Sequence, residues 1–490
     1  MDGWSVRGRH LPALDGLRAL AVAAVVAYHL SYGWARGGYL GVDLFFVLSG
    51  FLITSLLLEE REATGSIRLA AFWGRRARRL LPALVVMVAA VMVFLVAEGR
   101  EGNSAFVAGF DLVSLRPQAF AALFYYSNWW LIHVQQSYFT QFSTPSPFQH
   151  TWSLAIEEQF YLAWPFITLA LAAKGLAARR RAGITAATVI AVGSAVLMAV
   201  LFTPGGDPSR LYYGTDTRIQ DLAVGTLLAW LTARRPETPP RLARALTVVA
   251  PAALCGLLAL MAVAGTSSGP TAGEPTGYMF EGGFLVASVL SAIVIADVRR
   301  EGSALRAIFS WRPLVAIGLV SYGIYLWHWP VIVLLTPATV AGATGAGLLA
   351  VRLAVLAAAV LVSYFAIELP VRRGRLPRPA QWTVYPAAAC AVVAAVVIGT
   401  TPSFVIKSYV RATLLRYAPT TPPTGSGGVA GQVPIDLGRA VSRSDPLRVV
   451  LVGDSMLNLA GPGVVAALDA TGEVRATNRS FDGWGTSPTA

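Results

Sequence analysis

The stretch GYLGVDLFFVLSGFLIT, residues 38–54, is apolar almost throughout, and a single carboxylate, Asp43, sits inside it. The run continues to Leu58. At ~1.5 Å of rise per residue, roughly 20 such residues cross the hydrocarbon core of a bilayer. Residues 38–58 therefore read as a spanning helix. Working outward, comparable segments recur at 11–33, 80–97, 152–173, 183–203, 217–233, 245–264, 281–297, 313–337, 346–366 and 383–401, with a weaker one at 119–133. Of the 490 residues 55% are hydrophobic and 13% charged. A soluble domain carries about twice that charge.

The net charge is +13. In a soluble chain this would point to nucleic acid, but here the arginines stand in short clusters between apolar segments. That is the pattern of cytoplasmic loops, and it argues against a nucleic-acid partner. Arg7 and Arg9 put the N-terminus inside. Two crossings later, Arg61, Arg68, Arg75, Arg76, Arg78 and Arg79 are inside again. The next basic loop, Lys174 with Arg179–Arg181, falls inside only if 98–150 stays outside as one unit. So 119–133, which contains Ser127 and Asn128, is expected to be re-entrant or interfacial. With that choice the clusters Arg234–Arg244, Arg299–Arg312 and Arg372–Arg378 also fall inside. The expected fold is an all-α polytopic domain of ten core helices, plus an eleventh that carries the C-terminus outside.

Cys255 and Cys390 both lie in apolar stretches, so a structural disulfide is not expected. The first apolar segment contains Asp15, Arg18 and His29 and does not resemble a cleavable signal peptide. Composition changes after residue 402. A Pro/Gly/Thr-rich linker, APTTPPTGSGGVAGQVP (418–434), precedes LRVVLVGDSMLNL (447–459), which reads as buried strand, tight turn and helix start. The expected division is 1–380 membrane domain, 381–402 additional helix, 403–444 linker and 445–490 the N-terminal part of an extracytoplasmic α/β domain.

Ionisable groups within spans are costly and call for a reason. His29, Asp43, His150, Glu157, Glu158 and His328 fall in the outer halves of their segments, and Arg218 and Asp221 begin another. Arg18 lies eleven positions before His29, roughly 16 Å along one helix, so that helix reaches both faces. Acyl transfer to a hydroxyl needs a base, and a neutral histidine suits that task near pH 7. Asp43 or Glu157 would fix its tautomer, as carboxylates do in catalytic triads. Arginines at the inner face would hold donor phosphates. A plainer account remains for each: basic loops mark topology, Glu157 and Glu158 suit a solvated helix start, and Trp327 and Trp329 suit an interfacial belt. A proton-coupled transporter or flippase, with histidine and carboxylates as the relay, is the alternative reading.

Together these segments resemble the membrane acyltransferase-3 family. Arg18 and His29 match its Arg-x10-His pattern, and residues 38–54 resemble its second helix. Arg75, Arg76, Arg79 and Pro82 match Arg-Arg-x-x-Arg-x-x-Pro. HTWSLAIEEQFYLAWP (150–165) and SYGIYLWHWP (321–330) match two further signatures. The resemblance implies ten core helices, acetyl-CoA or another acyl-CoA as cytoplasmic donor, no metal, and an acceptor hydroxyl on an extracytoplasmic glycan, cell-wall polymer or lipid-linked sugar. It implies His29 as base, with Asp43, Glu157 and Glu158 as catalytic helpers and Arg18, Arg75, Arg76 and Arg79 facing the donor. It also implies a multi-pass protein of a bacterial plasma membrane, among the membrane lipids.

VLVGDSM (450–456) resembles the nucleophile block of SGNH-type hydrolases, with Ser455 as nucleophile. No histidine follows His328, so no triad closes within this sequence, and it is expected to be a piece of a longer protein. Fused transferase–SGNH chains modify surface polysaccharide or peptidoglycan, the second domain passing the acyl group to the acceptor.

If the charge map is correct, a cysteine at position 75, in a chain otherwise freed of cysteine, will react with an impermeant maleimide only when sealed vesicles are opened. Labelling from outside intact right-side-out vesicles would overturn the topology.

Overall fold

The computed structural model describes residues 5–6, 9–100, 112–139, 145–172, 176–233, 238–265, 275–337, 339–340, 342–373, 447–451 and 474–478. They belong to two units, 1–418 and 419–490. In the first, a short antiparallel pair, β1 (Ser5–Val6) and β2 (Arg9–His10), leads into helices. These are α1 (Pro12–His29), α2 (Gly41–Thr64), α3 (Leu69–Arg100), α4 (Leu112–Leu123), α5 (Ser127–His133) and α6 (Trp152–Ala172). There follow α7 (Leu176–Leu201), α8 (Ser209–Tyr213), α9 (Thr215–Thr232), α10 (Pro240–Val263) and α11 (Gly283–Val298). The series closes with α12 (Ala304–Phe309), α13 (Arg312–Leu319), α14 (Ser321–Leu334) and α15 (Gly345–Val362), the last continuing through a π-helical turn, Ser363–Glu368, into α16 (Leu369–Arg372). The ends follow local chemistry. Pro12 begins α1, where its missing N–H is no loss, and Gly65 ends α2 in the left-handed region.

Each segment expected to span between residues 11 and 366 falls on helix. Among the described residues five helices are long and apolar enough to cross a membrane, or six if the bent pair α13–α14 is one span. That is fewer than the ten expected. The difference lies in α1, α6, α9 and α11. Asp15 and Arg18 dilute α1, Glu157, Glu158 and Gln159 dilute α6, and Arg218 and Asp221 dilute α9, while α11 has only 16 residues. The segment 313–337 is not one straight helix, because it bends by 66° between α13 and α14. Residues 119–133 are divided between α4 and α5, with Tyr125 in left-handed backbone (φ 55°) between them, so this stretch does not cross as a single helix.

Burial separates centre from periphery. The apolar window of α2 is 83% buried inside the protein, that of α15 only 11%. The central helix packs on α9 at very short range. A Cβ built on Gly50 would fall on the Leu222 carbonyl oxygen, and one built on Gly225 would fall on that of Val47. Reciprocal glycines are how helices approach when lipid supplies no hydrophobic drive between them.

In the second unit, β3 (Leu447–Leu451) pairs in parallel with β4 (Val474–Asn478), Leu447 opposite Val474. The strand expected at 447 is therefore present. Ser455, the segment 383–401 and the linker 403–444 lie outside the described residues.

Gly50→Ala is expected to destabilise the protein by about 1–3 kcal/mol, because a methyl meets backbone that cannot yield cheaply. Gly193→Ala, with open space around it, should leave the melting temperature in detergent unchanged. Equal melting temperatures for both variants would show that the α2–α9 crossing is not tight.

Candidate active site

His29 closes α1, and its ring is held from both sides. Its Nδ1 lies 2.9 Å from His328 Nε2, and its Nε2 lies 2.9 Å from the Tyr138 hydroxyl. The His328 Nδ1 lies 2.6 Å from the backbone carbonyl of Tyr325. A carbonyl only accepts, so His328 carries its proton on Nδ1 and, when neutral, accepts at Nε2. His29 must then donate from Nδ1, which leaves its Nε2 as the bare basic nitrogen, covered by the Tyr138 O–H. Burial, then the neighbouring Tyr212, hold the Tyr138 phenol well above its usual range, so it is a neutral donor. Trp329 packs beside His29 with ring centroids 4.6 Å apart and the ring planes tilted by 53°, and it donates its N–H to the Ser146 carbonyl, so it is a buried packing residue rather than part of an interfacial belt. His150 completes the group. Its Nε2 donates to the Leu326 carbonyl at 3.0 Å, and its ring lies 5.6 Å from that of His328.

Among the described residues no carboxylate bonds to His29. The expected orienting roles of Asp43 and Glu157 are corrected here: imidazole and carbonyl fill that place. Asp43 is fully buried and lies 3.0 Å from Arg218, which also reaches Asp221 at 3.5 Å. Asp221 in turn accepts from Ser288 at 2.6 Å. The Arg218 guanidinium lies over the rings of Phe284 (4.2 Å) and Tyr212 (5.0 Å). Asp43 thus ties α2 to α9. Glu157 accepts from Ser49 at 2.7 Å.

Below the histidines a cavity runs between α1, α2, α3, α6 and α14. Arg18, Arg76, Arg79 and Glu157 line it, with Ser49, Ser153, Ser321 and Tyr325 among the other walls. Tyr325 joins the two regions, since it lines the cavity and its carbonyl holds His328. Arg76 is buried with its guanidinium 4.0 Å from the Tyr161 ring centroid. Arg75, expected at the donor, turns away and pairs with Glu60 at 3.2 Å, half-exposed. One helical position separates it from Arg76, which is ~100° around the axis. Glu158 does not line the cavity either.

The family model described as "Acyltransferase domain" matches residues 11–368. The chain belongs to this acyltransferase family. The resemblance carried by the five motifs holds, and the matched region contains every residue of the histidine group and the cavity. Similar proteins include the peptidoglycan O-acetyltransferase OatA of Listeria monocytogenes, 45% identical over 335 residues, covering 67% of this chain and 50% of that protein. The putative peptidoglycan O-acetyltransferase YrhL of Bacillus subtilis is 43% identical over 367 residues, 74% of this chain and 55% of that one. The O-acetyltransferase OatA of Staphylococcus aureus is 36% identical over 368 residues, 74% and 58% respectively. The chain spans about half the length of the curated relatives it matches. No solved structure matches it.

Sequence singled out His29, His150 and His328 within this acyltransferase domain but not their convergence, which depends on α1, α6 and α14 meeting. Tyr138 had no sequence signal, being one of 16 tyrosines and outside every motif. The Arg218 pairing was open to inference from two unexplained buried charges of opposite sign.

Removing one partner of a buried ion pair leaves an uncompensated charge, at a cost of about 3–5 kcal/mol. Arg218→Met, which strands two carboxylates, should therefore lower the melting temperature sharply. Asp221→Asn should cost much less, since Asp43 keeps the guanidinium paired. The reverse order in a thermal-unfolding series would contradict the pairing.

Proposed function

We propose that this acyltransferase domain moves an acetyl group from cytoplasmic acetyl-CoA to a hydroxyl of a cell-wall glycan on the outer face of the plasma membrane, with His29 as the base. The observation that carries the reading is the place of Tyr325, which lines the arginine-lined cavity and whose carbonyl holds His328, the partner of His29. Arg18, Arg76 and Arg79 would hold donor phosphates by charge-assisted hydrogen bonds. His29 Nε2 would take the acceptor's hydroxyl proton as the oxygen attacks the thioester carbonyl. The resulting imidazolium is stabilised through Nδ1 by His328, whose own N–H is anchored on the Tyr325 carbonyl. The proton then goes to the departing CoA thiolate. Tyr138, which covers Nε2, occupies the place an acceptor hydroxyl would take. Glu157 sits where it balances the arginines, a supporting role rather than a chemical one.

The names of the relatives support a peptidoglycan-type acceptor, as does their O-acetyltransferase description. The proposal extends to the domain plan. Residues 1–380 are the membrane enzyme with its N-terminus cytoplasmic, 381–402 a further helix and 403–444 a linker. Residues 445–490 begin an extracytoplasmic SGNH-type domain in which Ser455 receives the acetyl group for the final acceptor.

Thiol release from acetyl-CoA by the purified chain tests this. His29→Ala should lose about 10²-fold or more, the usual contribution of a general base. Arg18→Ala should raise KM with a smaller effect on kcat. Undiminished turnover in His29→Ala would remove the base assignment, and absence of acetyl-CoA turnover together with absence of acetyl-CoA binding in wild type would remove the donor.

A further inference from the structure

Helix α14 begins at a break inside the protein. After the 66° bend its first hydrogen bond runs from Ile324 N–H to the Val320 carbonyl at 3.0 Å, so the amides of Ser321, Tyr322 and Gly323 precede the helical ladder. Ser321 is fully buried and its hydroxyl has no hydrogen-bond partner among the described residues. A buried hydroxyl left unbonded is costly, and one placed at a cavity wall is explained by something that enters the cavity. The space Ser321 lines is the one lined by Arg18, Arg76 and Arg79.

Neighbouring polar groups are otherwise engaged. Tyr322 donates to the Leu80 carbonyl at 2.9 Å. Glu157 accepts from Ser49, and Glu368, beside Gly323, accepts from Ser363 at 3.3 Å. Three guanidiniums and one carboxylate line the cavity, so its charge favours an anion, as does the positive end of the α14 dipole. An orphan hydroxyl, the first turn of a helix and arginines around one space are the parts of a phosphate cradle.

We propose that the α13–α14 break is an anion subsite, in which the Ser321 hydroxyl and the first-turn amides of α14, with Arg18 and Arg79, hold a phosphate of the thioester donor. The inference rests on the acetyl-CoA reading above and adds to it the residue and backbone that recognise the donor's phosphate. Ser321 precedes His328 by seven positions, roughly 10 Å along α14. A donor anchored at the break therefore carries its thioester to the histidines on a flexible arm of about that reach, and a compact acetyl donor cannot engage both ends.

The test compares acetyl-CoA with S-acetylpantetheine, which has the arm and the thioester but no phosphate. Ser321→Ala should raise KM for acetyl-CoA about tenfold, the scale of one hydrogen bond to a charged group, with kcat little changed. Its KM for S-acetylpantetheine should equal that of wild type, and Ser321→Thr should restore acetyl-CoA binding. Equal losses with both donors would overturn the subsite and place the hydroxyl at the thioester or in packing, and an unchanged KM for acetyl-CoA would also overturn it. If wild type turns over neither donor and does not bind acetyl-CoA, the acetyl-CoA reading fails on its own. The subsite is then judged by inorganic pyrophosphate, which should raise the melting temperature of wild type and not of Ser321→Ala; no such difference overturns it.

Discussion

The buried contact of Arg218 with Asp43 joins the most enclosed helix, α2, to α9 at a level where neither water nor lipid solvates a charge. A guanidinium cannot escape the problem by losing its proton, so the carboxylate has to come to it. That requirement fixes the rotation of both helices, and the reciprocal glycines Gly50 and Gly225 fix their separation. Once the two are locked, Arg218 presents its face to Tyr212, which packs against both Tyr138 and Trp152. Tyr138 is the group that reaches the Nε2 of His29. The ion pair thus supports the candidate base through two aromatic contacts without touching it.

The histidine group follows the same rule in uncharged form. Two imidazoles and a phenol in a poorly solvating interior are satisfied by passing hydrogen bonds in one direction, from Tyr138 to His29 to His328 to a backbone carbonyl. The final acceptor sets every tautomer before it. A carbonyl does for this chain what a carboxylate does in a hydrolase triad, with less charge to bury. Glu157, the single acid at the cavity among the described residues, stands instead among arginines. Helix α1 joins the two regions, with His29 in the histidine group at its end and Arg18, eleven residues earlier, at the cavity.

In a bundle this apolar on its outside and this polar at its centre, length and hydropathy mark only some of the described helices as spans. In α1, α6 and α9 polar residues dilute the apolar windows. Lipid-facing helices such as α7, α10 and α15 have little to do but be apolar, and they are the easiest to recognise. The 66° bend between α13 and α14 belongs with the polar group, since a broken helix inside a membrane is tolerated where it lines a cavity rather than lipid, and Ser321 and Tyr322 at the break line one.

The sequence by itself determined that the chain is a helical membrane protein, where its helices lie between residues 11 and 366, and which family it belongs to, because apolar runs and ordered motifs are properties of the chain alone. It also placed Arg18 and His29 roughly 16 Å apart along one helix, since helical rise is a local constant. Tertiary structure alone decided the partners. Asp43 goes to Arg218 and not to His29, His328 and Tyr325 take the place of a carboxylate, Arg75 faces away while Arg76 faces in, and Ser321 stands at a break. Each of these depends on which faces of separate helices meet, and residue type and spacing along one helix leave that open.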